Sequence, residues 1–205
     1  MAVLPPRLVV ASANPKKAAE LAELLAGTTT EVIPRPDDVP EVIEDGATFL
    51  DNARLKAVAL AAATGAAALA DDSGLEVDAL DGAPGVHSAR FAADDATDAE
   101  NVALLLRRLA DAGAVSDAQR SARFRCVLVL RYPDGTELIA QGSVEGYIAA
   151  GPAGEGGFGY DPVFVPSAAD AGGDGRTFAQ MSADEKQAVS HRGRALRVLL
   201  ASFDA

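Results

Sequence analysis

Apolar and polar positions follow two different periods along the first half of the chain. Short apolar runs that are typical of buried strands are followed by stretches with the three-to-four-residue spacing of amphipathic helices. The predicted strands lie at residues 7–11, 31–33 and 66–70, with an extended segment at 75–80. The predicted helices lie at residues 18–25, 48–64 and 98–112. Strands that alternate with helices favour an α/β fold.

The second half of the chain pairs strands directly. Residues 122–132 and 136–147 flank the tripeptide Pro133-Asp134-Gly135, which is a strong hairpin signal. A glycine-rich stretch then leads into an aromatic strand that ends at residue 165, and a loop of small residues follows at 167–175. Helices are predicted at 182–187 and 191–203. The whole pattern predicts an α/β fold with a mixed sheet.

Size and charge narrow the classes of function. The chain has 205 residues, 49% of them hydrophobic, which is enough for a full-sized core in one domain that spans 1–205. Its formal net charge of −12 disfavours nucleic-acid backbones and anionic membrane surfaces as partners. No apolar run reaches the roughly 20 residues of a membrane-spanning helix, and residues 1–14 do not resemble a signal peptide. We therefore predict a cytoplasmic protein without a membrane or nucleic-acid partner.

The rare residue types are candidates for chemistry. Only four of the 18 basic residues are lysines, namely Lys16, Lys17, Lys56 and Lys186. A lysine offers a compact charge that can reach a phosphate oxygen, although four solvated helix-face lysines are the alternative. The single cysteine, Cys126, lies in an apolar run and is predicted to be a buried strand thiol rather than a nucleophile.

Two stretches of the first half are candidates for anion and metal binding. Residues 12–17 join a predicted strand to a predicted helix, where backbone N–H groups and the helix dipole favour an anion. Asp71 and Asp72 are predicted at the end of a buried strand, where adjacent carboxylates repel each other unless a cation or donors compensate. Mg²⁺ or Mn²⁺ would suit these oxygen ligands, with Glu44 or Glu41 as a further carboxylate. The alternative is that both acids cap the following turn.

Two stretches of the second half are candidates for binding a flat ligand. Phe158 stands among glycines, where its ring can stack on a base, and Asp161 could accept a hydrogen bond from a base N–H. His191 and Arg192 stand at a predicted helix start, and their donors suit an oxo-purine. The alternative is a core aromatic beside a glycine-rich turn.

Six ordered motifs along almost the whole chain resemble the Ham1 family of inosine triphosphate pyrophosphatases, also called dITP/XTP pyrophosphatases. The motifs lie at residues 12–17, 44–56, 70–75, 82–90, 156–162 and 186–193. The resemblance implies an elongated central sheet flanked by helices in a two-lobed homodimer subunit, with the active site in the cleft. It also implies Mg²⁺-dependent hydrolysis of ITP, dITP and XTP to the monophosphate and pyrophosphate, which removes deaminated purines from the nucleotide pool.

The resemblance also assigns roles to single residues. Asp72 would be the general base and a metal ligand, with Glu44 as the second metal acid, although Glu41, Asp45 and Asp71 remain open for that second position. Lys56 would help neutralise the triphosphate. Phe158 would stack on the purine, and Asp161 would accept a hydrogen bond from the N–H edge of that base. The loop at residues 12–17 would hold phosphates, Ser73 would contact substrate, and Lys186, His191 and Arg192 would contact the base region and its 6-oxo group. Besides Lys56 and Phe158, thirteen residues would bind the substrate. These are Ser12, Ala13, Asn14, Pro15, Lys16, Lys17, Ser73, Gly159, Tyr160, Asp161, Lys186, His191 and Arg192.

Two other functions compete with this interpretation. One is a pyrophosphatase for modified pyrimidine triphosphates, as in the Maf family, and the motifs around Phe158 and His191 argue against it. The other is a nucleotide-binding regulatory module without catalysis. The presence of Asp72, Ser73 and all four lysines makes that alternative the weaker one.

Overall fold

The computed structural model describes residues 4–12, 14–171 and 174–203. The strands are β1 (Arg7–Val10), β2 (Glu31–Pro34), β3 (Ala67–Val77), β4 (Ser121–Arg131), β5 (Glu137–Ile148) and β6 (Phe164–Pro166). The α-helices are α1 (Pro15–Leu25), α2 (Phe49–Thr64), α3 (Asp98–Asp111), α4 (Ala168–Ala171), α5 (Ala183–Val189) and α6 (His191–Ala201). Short 3₁₀ turns lie at Asp78–Leu80, Gly85–Arg90, Asp117–Arg120 and Phe178–Gln180.

The strands form one six-stranded sheet in the order β2-β1-β3-β4-β5-β6. Strand β1 pairs in parallel with both β2 and β3, whereas β5 and β6 are antiparallel. The predicted mixed α/β fold is therefore confirmed. None of the helices in the described ranges is both long enough and apolar enough to cross a membrane.

The helix ends follow from local sequence. Helix α2 begins at a reciprocal capping box between Thr48 and Asp51, and it ends where Gly65 adopts a left-handed conformation. Asn14 is the N-cap of helix α1, and its side chain accepts hydrogen bonds from the backbone N–H groups of Lys16 and Lys17. These short-range signals explain why both helices lie close to their predicted positions.

The chain divides into two compact units, each with its own core. Unit 1 comprises the described parts of 1–72, 126–142 and 192–205, and unit 2 comprises 73–125 and 143–191. The core of unit 1 includes Leu8, Leu21, Leu69, Leu128 and Leu196. The core of unit 2 includes Leu75, Leu105, Phe124, Phe164 and Phe178.

Cys126 belongs to the core of unit 1, where it is 1% exposed in strand β4. Burial raises the pKa of its thiol to about 12, so the thiol stays protonated at neutral pH. The prediction of a buried strand thiol is confirmed.

Several expected boundaries were wrong. Strand β3 does not end at residue 70 but continues through Asp71 and Asp72 to Val77, because donors from other segments compensate both carboxylates. The aromatic strand is limited to β6, and residues 158–163 form turns that precede it. The expected loop at 167–175 contains the short helix α4, while residues 172 and 173 lie outside the described ranges.

Candidate active site

Asp72 is a buried carboxylate in the middle of strand β3, 4% exposed. The Nδ2 of Asn52 donates to its Oδ2 at 3.1 Å, and the Nζ of Lys56 lies 3.4 Å from its Oδ1. Asn52 and Lys56 are four residues apart on α2, so one face of that helix reaches the strand.

Lys56 links Asp72 to a second carboxylate. Its Nζ donates to the Oε1 of Glu44 at 3.1 Å. Burial lowers the pKa of Lys56, but the negative charges of Asp72, Asp71 and Glu44 outweigh burial, so the pKa lies above its ordinary value. Burial raises the pKa of Asp72, although the positive charges of Lys56 and Lys17 oppose that rise. We call Glu44, Asn52, Lys56 and Asp72 the carboxylate cluster.

Asn52 also fixes the segment that carries Glu44. The backbone N–H of Gly46 donates to the Oδ1 of Asn52 at 2.8 Å, while the Nδ2 of the same amide holds Asp72. A Cβ atom at Gly46 would lie 2.6 Å from that Oδ1 and 2.6 Å from the Cβ of Asp51. A glycine is therefore required where the segment approaches α2. A cavity of about 60 Å³ borders Glu44 and Lys56 and is large enough for water.

Asp71 has different partners from Asp72. The Nη2 and Nε of Arg192 lie 3.0 and 3.2 Å from the Oδ2 of Asp71, and the Nη1 of Arg192 contacts Glu20. Arg192 is 1% exposed. Burial alone would raise the pKa of Asp71, but the charges of Arg192, Lys17 and Lys56 hold it well below its ordinary value. The structure thus places Arg192 beside two carboxylates of unit 1.

The predicted phosphate loop lies at the start of α1. The Oγ of Ser12 donates to the backbone oxygen of Asn14 at 3.2 Å, and Pro15 is the first helical residue. Lys16 is exposed, whereas Lys17 is half-buried. The charge of Lys17 helps to lower the pKa of Asp71 and opposes the rise that burial causes in the pKa of Asp72. Ala13 lies outside the described residues. The described part of this loop therefore brings an ammonium group toward the two aspartates.

A second group of predicted residues meets in unit 2. The Oδ2 of Asp161 accepts hydrogen bonds from the backbone N–H of Phe158 at 2.8 Å and from the Nζ of Lys186 at 2.7 Å. The same Nζ lies 4.7 Å from the centroid of the half-exposed Phe158 ring. We call residues 156–161 the glycine-rich segment. A Cβ at Gly157 would lie 2.0 Å from the Oδ2 of Asp161, so the segment closes tightly on that carboxylate.

The other predicted residues of unit 2 lie in buried or half-buried positions. The ring of His191 stacks on Phe124 with a centroid distance of 4.8 Å, and the Tyr160 hydroxyl donates to the backbone oxygen of Ser88 at 2.9 Å. Gly159 donates its N–H to Asp98. Ser73 is half-buried in strand β3.

The sequence interpretation named no role for three residues that support these groups, namely Glu20, Asn52 and Asp98. Only Asn52 had a signal in the sequence, because an amide on an alanine-rich helix stands four residues before a rare lysine. The partners of Glu20 and Asp98 are 172 and 61 residues away in the chain.

Comparison with known proteins identifies the family. The model of the Ham1 family matches residues 8–202. The chain belongs to the Ham1 family.

Several relatives carry a functional name. The dITP/XTP pyrophosphatase of Shigella flexneri is 50% identical over 198 residues, which is 95% of this chain and 96% of that protein. The dITP/XTP pyrophosphatase of Thermus thermophilus is 50% identical over 96% of this chain and 91% of its own length. The structure of a HAM1 protein from Coxiella burnetii superposes with a TM-score of 0.85 at 44% identity, covering 97% of this chain and 99% of that one.

In this Ham1 chain the donor set suits a hard cation. Glu44 and Asp72 each present a carboxylate oxygen to the Nζ of Lys56. The oxygens of these two carboxylates therefore lie close to one another around a single positive charge. Within the described ranges, no three His, Cys, Asp or Glu side chains gather as a metal-binding group. Mg²⁺ is usually bound by one or two carboxylates, with phosphate oxygens and water as its other ligands. The two carboxylates therefore fit a hard divalent cation that takes its other ligands from phosphate and water.

Proposed function

We propose that this protein hydrolyses dITP, XTP and ITP to the nucleoside monophosphate and pyrophosphate. The observation that carries the proposal is the carboxylate cluster, in which a buried acid, an amide and an ammonium group meet a second acid. Membership in the Ham1 family and the names of its relatives support the substrate class.

Asp72 is the residue that we assign as general base. In the reaction, the oxygen of a water molecule bonds to the α-phosphorus while the bond from that phosphorus to the bridging oxygen breaks, and pyrophosphate leaves. The water proton passes to a carboxylate oxygen of Asp72. A raised pKa improves a carboxylate as a proton acceptor near neutral pH, which supports this role.

The cations of unit 1 are assigned to the phosphates. Lys56 already balances two carboxylates, and the charge of Lys17 stabilises the charged forms of Asp71 and Asp72. The loop at residues 12–17 would bind phosphate oxygens through donors at the start of α1. It includes Ser12, Asn14 and Lys16. Ser73, next to Asp72, is assigned to the substrate as well.

Mg²⁺ is the cofactor that we assign to Glu44 and Asp72, with Mn²⁺ as a substitute. When bound there, the ion would offset the negative charge of the triphosphate. Asn52 would keep both carboxylate-bearing segments in place, because its amide holds Gly46 on one side and Asp72 on the other.

The base is assigned to residues of unit 2. The ring of Phe158 would stack on the purine, and Asp161, Lys186 and His191 would meet its polar edge. Gly159 and Tyr160 would shape the same segment. In this structure the guanidinium group of Arg192 is bound to Asp71 and Glu20. A contact between Arg192 and the base stays a prediction. A homodimer and a cytoplasmic location stay predictions as well.

A substrate panel tests the proposal. Pyrophosphate release would be measured from ITP, XTP, dITP, GTP, ATP and dTTP with Mg²⁺, with and without EDTA. We expect rapid, EDTA-sensitive release from the three oxo-purine substrates ITP, XTP and dITP and slow release from ATP and GTP. A preference for dTTP, or no turnover, would contradict the proposal. The Asp72→Asn variant, run in parallel, controls for a contaminating phosphatase.

A further inference from the structure

A carboxylate at the start of α3 contacts the glycine-rich segment. The Oδ2 of Asp98 accepts a hydrogen bond from the backbone N–H of Gly159 at 2.8 Å, across 61 residues of chain. Gly159 follows Phe158 directly and has a left-handed backbone with φ of +60°. The contact therefore restrains the peptide group between the half-exposed Phe158 and Gly159.

The carboxylate of Asp98 is not needed to cap its own helix. Thr97 and Glu100 form the reciprocal capping box of α3, in which Thr97 N–H donates to Glu100 Oε2 at 2.8 Å and Glu100 N–H donates to Thr97 Oγ1 at 3.3 Å. Asp98 can therefore direct its side chain to another part of unit 2 while the helix start remains satisfied.

Three successive residues of the segment are anchored to three different places. Phe158 donates its N–H to Asp161, Gly159 donates its N–H to Asp98, and the hydroxyl of Tyr160 donates to Ser88. The Asp161 and Tyr160 anchors are buried residues, whereas the Asp98 contact is exposed. Asp98 thus provides the anchor on the exposed side of the segment.

We propose that Asp98 is a positioning residue for the Phe158 ring. It holds the peptide between Phe158 and Gly159 in one orientation before a nucleotide arrives, so that less ordering accompanies binding. The part of the proposal that concerns the base rests on the function proposed above. The positioning itself can be measured without any nucleotide.

The absence of tryptophan from the sequence permits a direct test of ring order. The substitution Phe158→Trp introduces the only indole at the ring position. In that background, Asp98→Ala should increase acrylamide quenching of the indole about twofold and lower its fluorescence anisotropy, because a charge-assisted hydrogen bond that restrains the peptide is lost. Asp98→Asn should have a smaller effect, because its amide oxygen can still accept.

Glu100→Ala is the matched control. It removes an acid from the same helical turn and weakens the start of α3, but it leaves the contact between Asp98 and Gly159 in place. We expect indole quenching to stay unchanged in this control. Equal effects of Asp98→Ala and Glu100→Ala, or no effect of either, would overturn the proposal.

Steady-state kinetics in variants that keep Phe158 test whether Asp98 affects binding of the base. Asp98→Ala should raise KM for dITP roughly three- to tenfold and change kcat less than about twofold, whereas Glu100→Ala should change neither. An unchanged KM beside a more mobile indole would overturn the role in base binding. Altered indole quenching in a protein that hydrolyses no purine triphosphate would contradict the proposed function and support the positioning by Asp98.

Discussion

Asp71 and Asp72 are consecutive in the chain, but their carboxylates bind different partners. Asp71 contacts the guanidinium group of Arg192, and Asp72 contacts Asn52 and Lys56. Successive side chains of a strand point to opposite faces of the sheet, and both residues lie inside strand β3. The expected repulsion between adjacent acids is therefore relieved by separate donors on each face.

The different partners give the two aspartates different protonation properties. Asp71 is held in its charged form by a buried arginine, and the pKa of its carboxyl group lies well below the ordinary value. Asp72 has a raised pKa and lies against Lys56, which also contacts Glu44. Asp72 is thus better suited to exchange a proton.

The first prediction concerns Asp72→Asn. The amide keeps the volume of the carboxylate and can still accept from Asn52, but it cannot take a proton from water. We expect kcat for dITP to fall at least about 100-fold while KM changes less than about threefold. Pyrophosphate release measures both. Asp111→Asn, at an exposed position at the end of α3, should leave both constants unchanged. Undiminished turnover of Asp72→Asn would remove Asp72 from the role of base.

The second prediction decides among the acids of the segment before α2. Glu44 is the acid that contacts Lys56, and Glu41 and Asp45 are exposed neighbours of similar charge. Glu44→Gln should raise the Mg²⁺ concentration for half-maximal activity by about tenfold or more, since even indirect metal contacts are worth about that factor. Magnesium titrations of Glu41→Gln and Asp45→Asn provide matched controls. If either control shifts as far as Glu44→Gln, the assignment of Glu44 is wrong.

Features that depend on neighbouring residues were predictable from the sequence. The ends of α2 follow from Thr48 and Gly65, and the hairpin between β4 and β5 follows from the turn at residues 133–135. The same holds for Asn52 and Lys56, whose spacing of four residues places them on one helical face. Local spacing therefore accounts for the placement of two of the four residues of the carboxylate cluster, Asn52 and Lys56.

Features that depend on distant residues could not be predicted from the sequence. Asp71 and Asp72 resemble the end of a strand because charged residues disfavour a buried strand. Strand β3 continues through them because Arg192, 121 residues away, compensates Asp71. The hydrogen bond between Asp98 and Gly159 has no local signal either, because its partners are 61 residues apart in the chain.

The third prediction concerns stacking by Phe158. Stacking of a base on an aromatic ring is worth about 1–3 kcal/mol, so Phe158→Ala should raise KM for dITP about tenfold or more. We expect kcat to fall less than KM rises, because a stacked ring would contact substrate and transition state alike. Phe158→Tyr retains an aromatic face and should stay within about threefold of the natural protein. A large loss of kcat at constant KM would contradict the stacking role.

The fourth prediction concerns the buried pair of Arg192 and Asp71. Arg192→Met leaves the carboxylate of Asp71 buried without its guanidinium partner, and breaking a buried pair in this way costs about 3–5 kcal/mol. The free energy of unfolding, from urea titration at pH 7, should therefore fall by that amount. Arg107→Met, at an exposed position on α3, should change it by less than about 0.5 kcal/mol.

The double variant Asp71→Asn, Arg192→Met separates the pair from the size of the arginine. Replacing both charges removes the uncompensated carboxylate, so this variant should be more stable than Arg192→Met alone. The coupling energy from the four unfolding free energies should be at least about 1 kcal/mol, as for residues that share a network. Additive effects would mean that Arg192 stabilises unit 1 through packing or through Glu20. In that case Asp71 would not need the guanidinium group to remain charged inside strand β3.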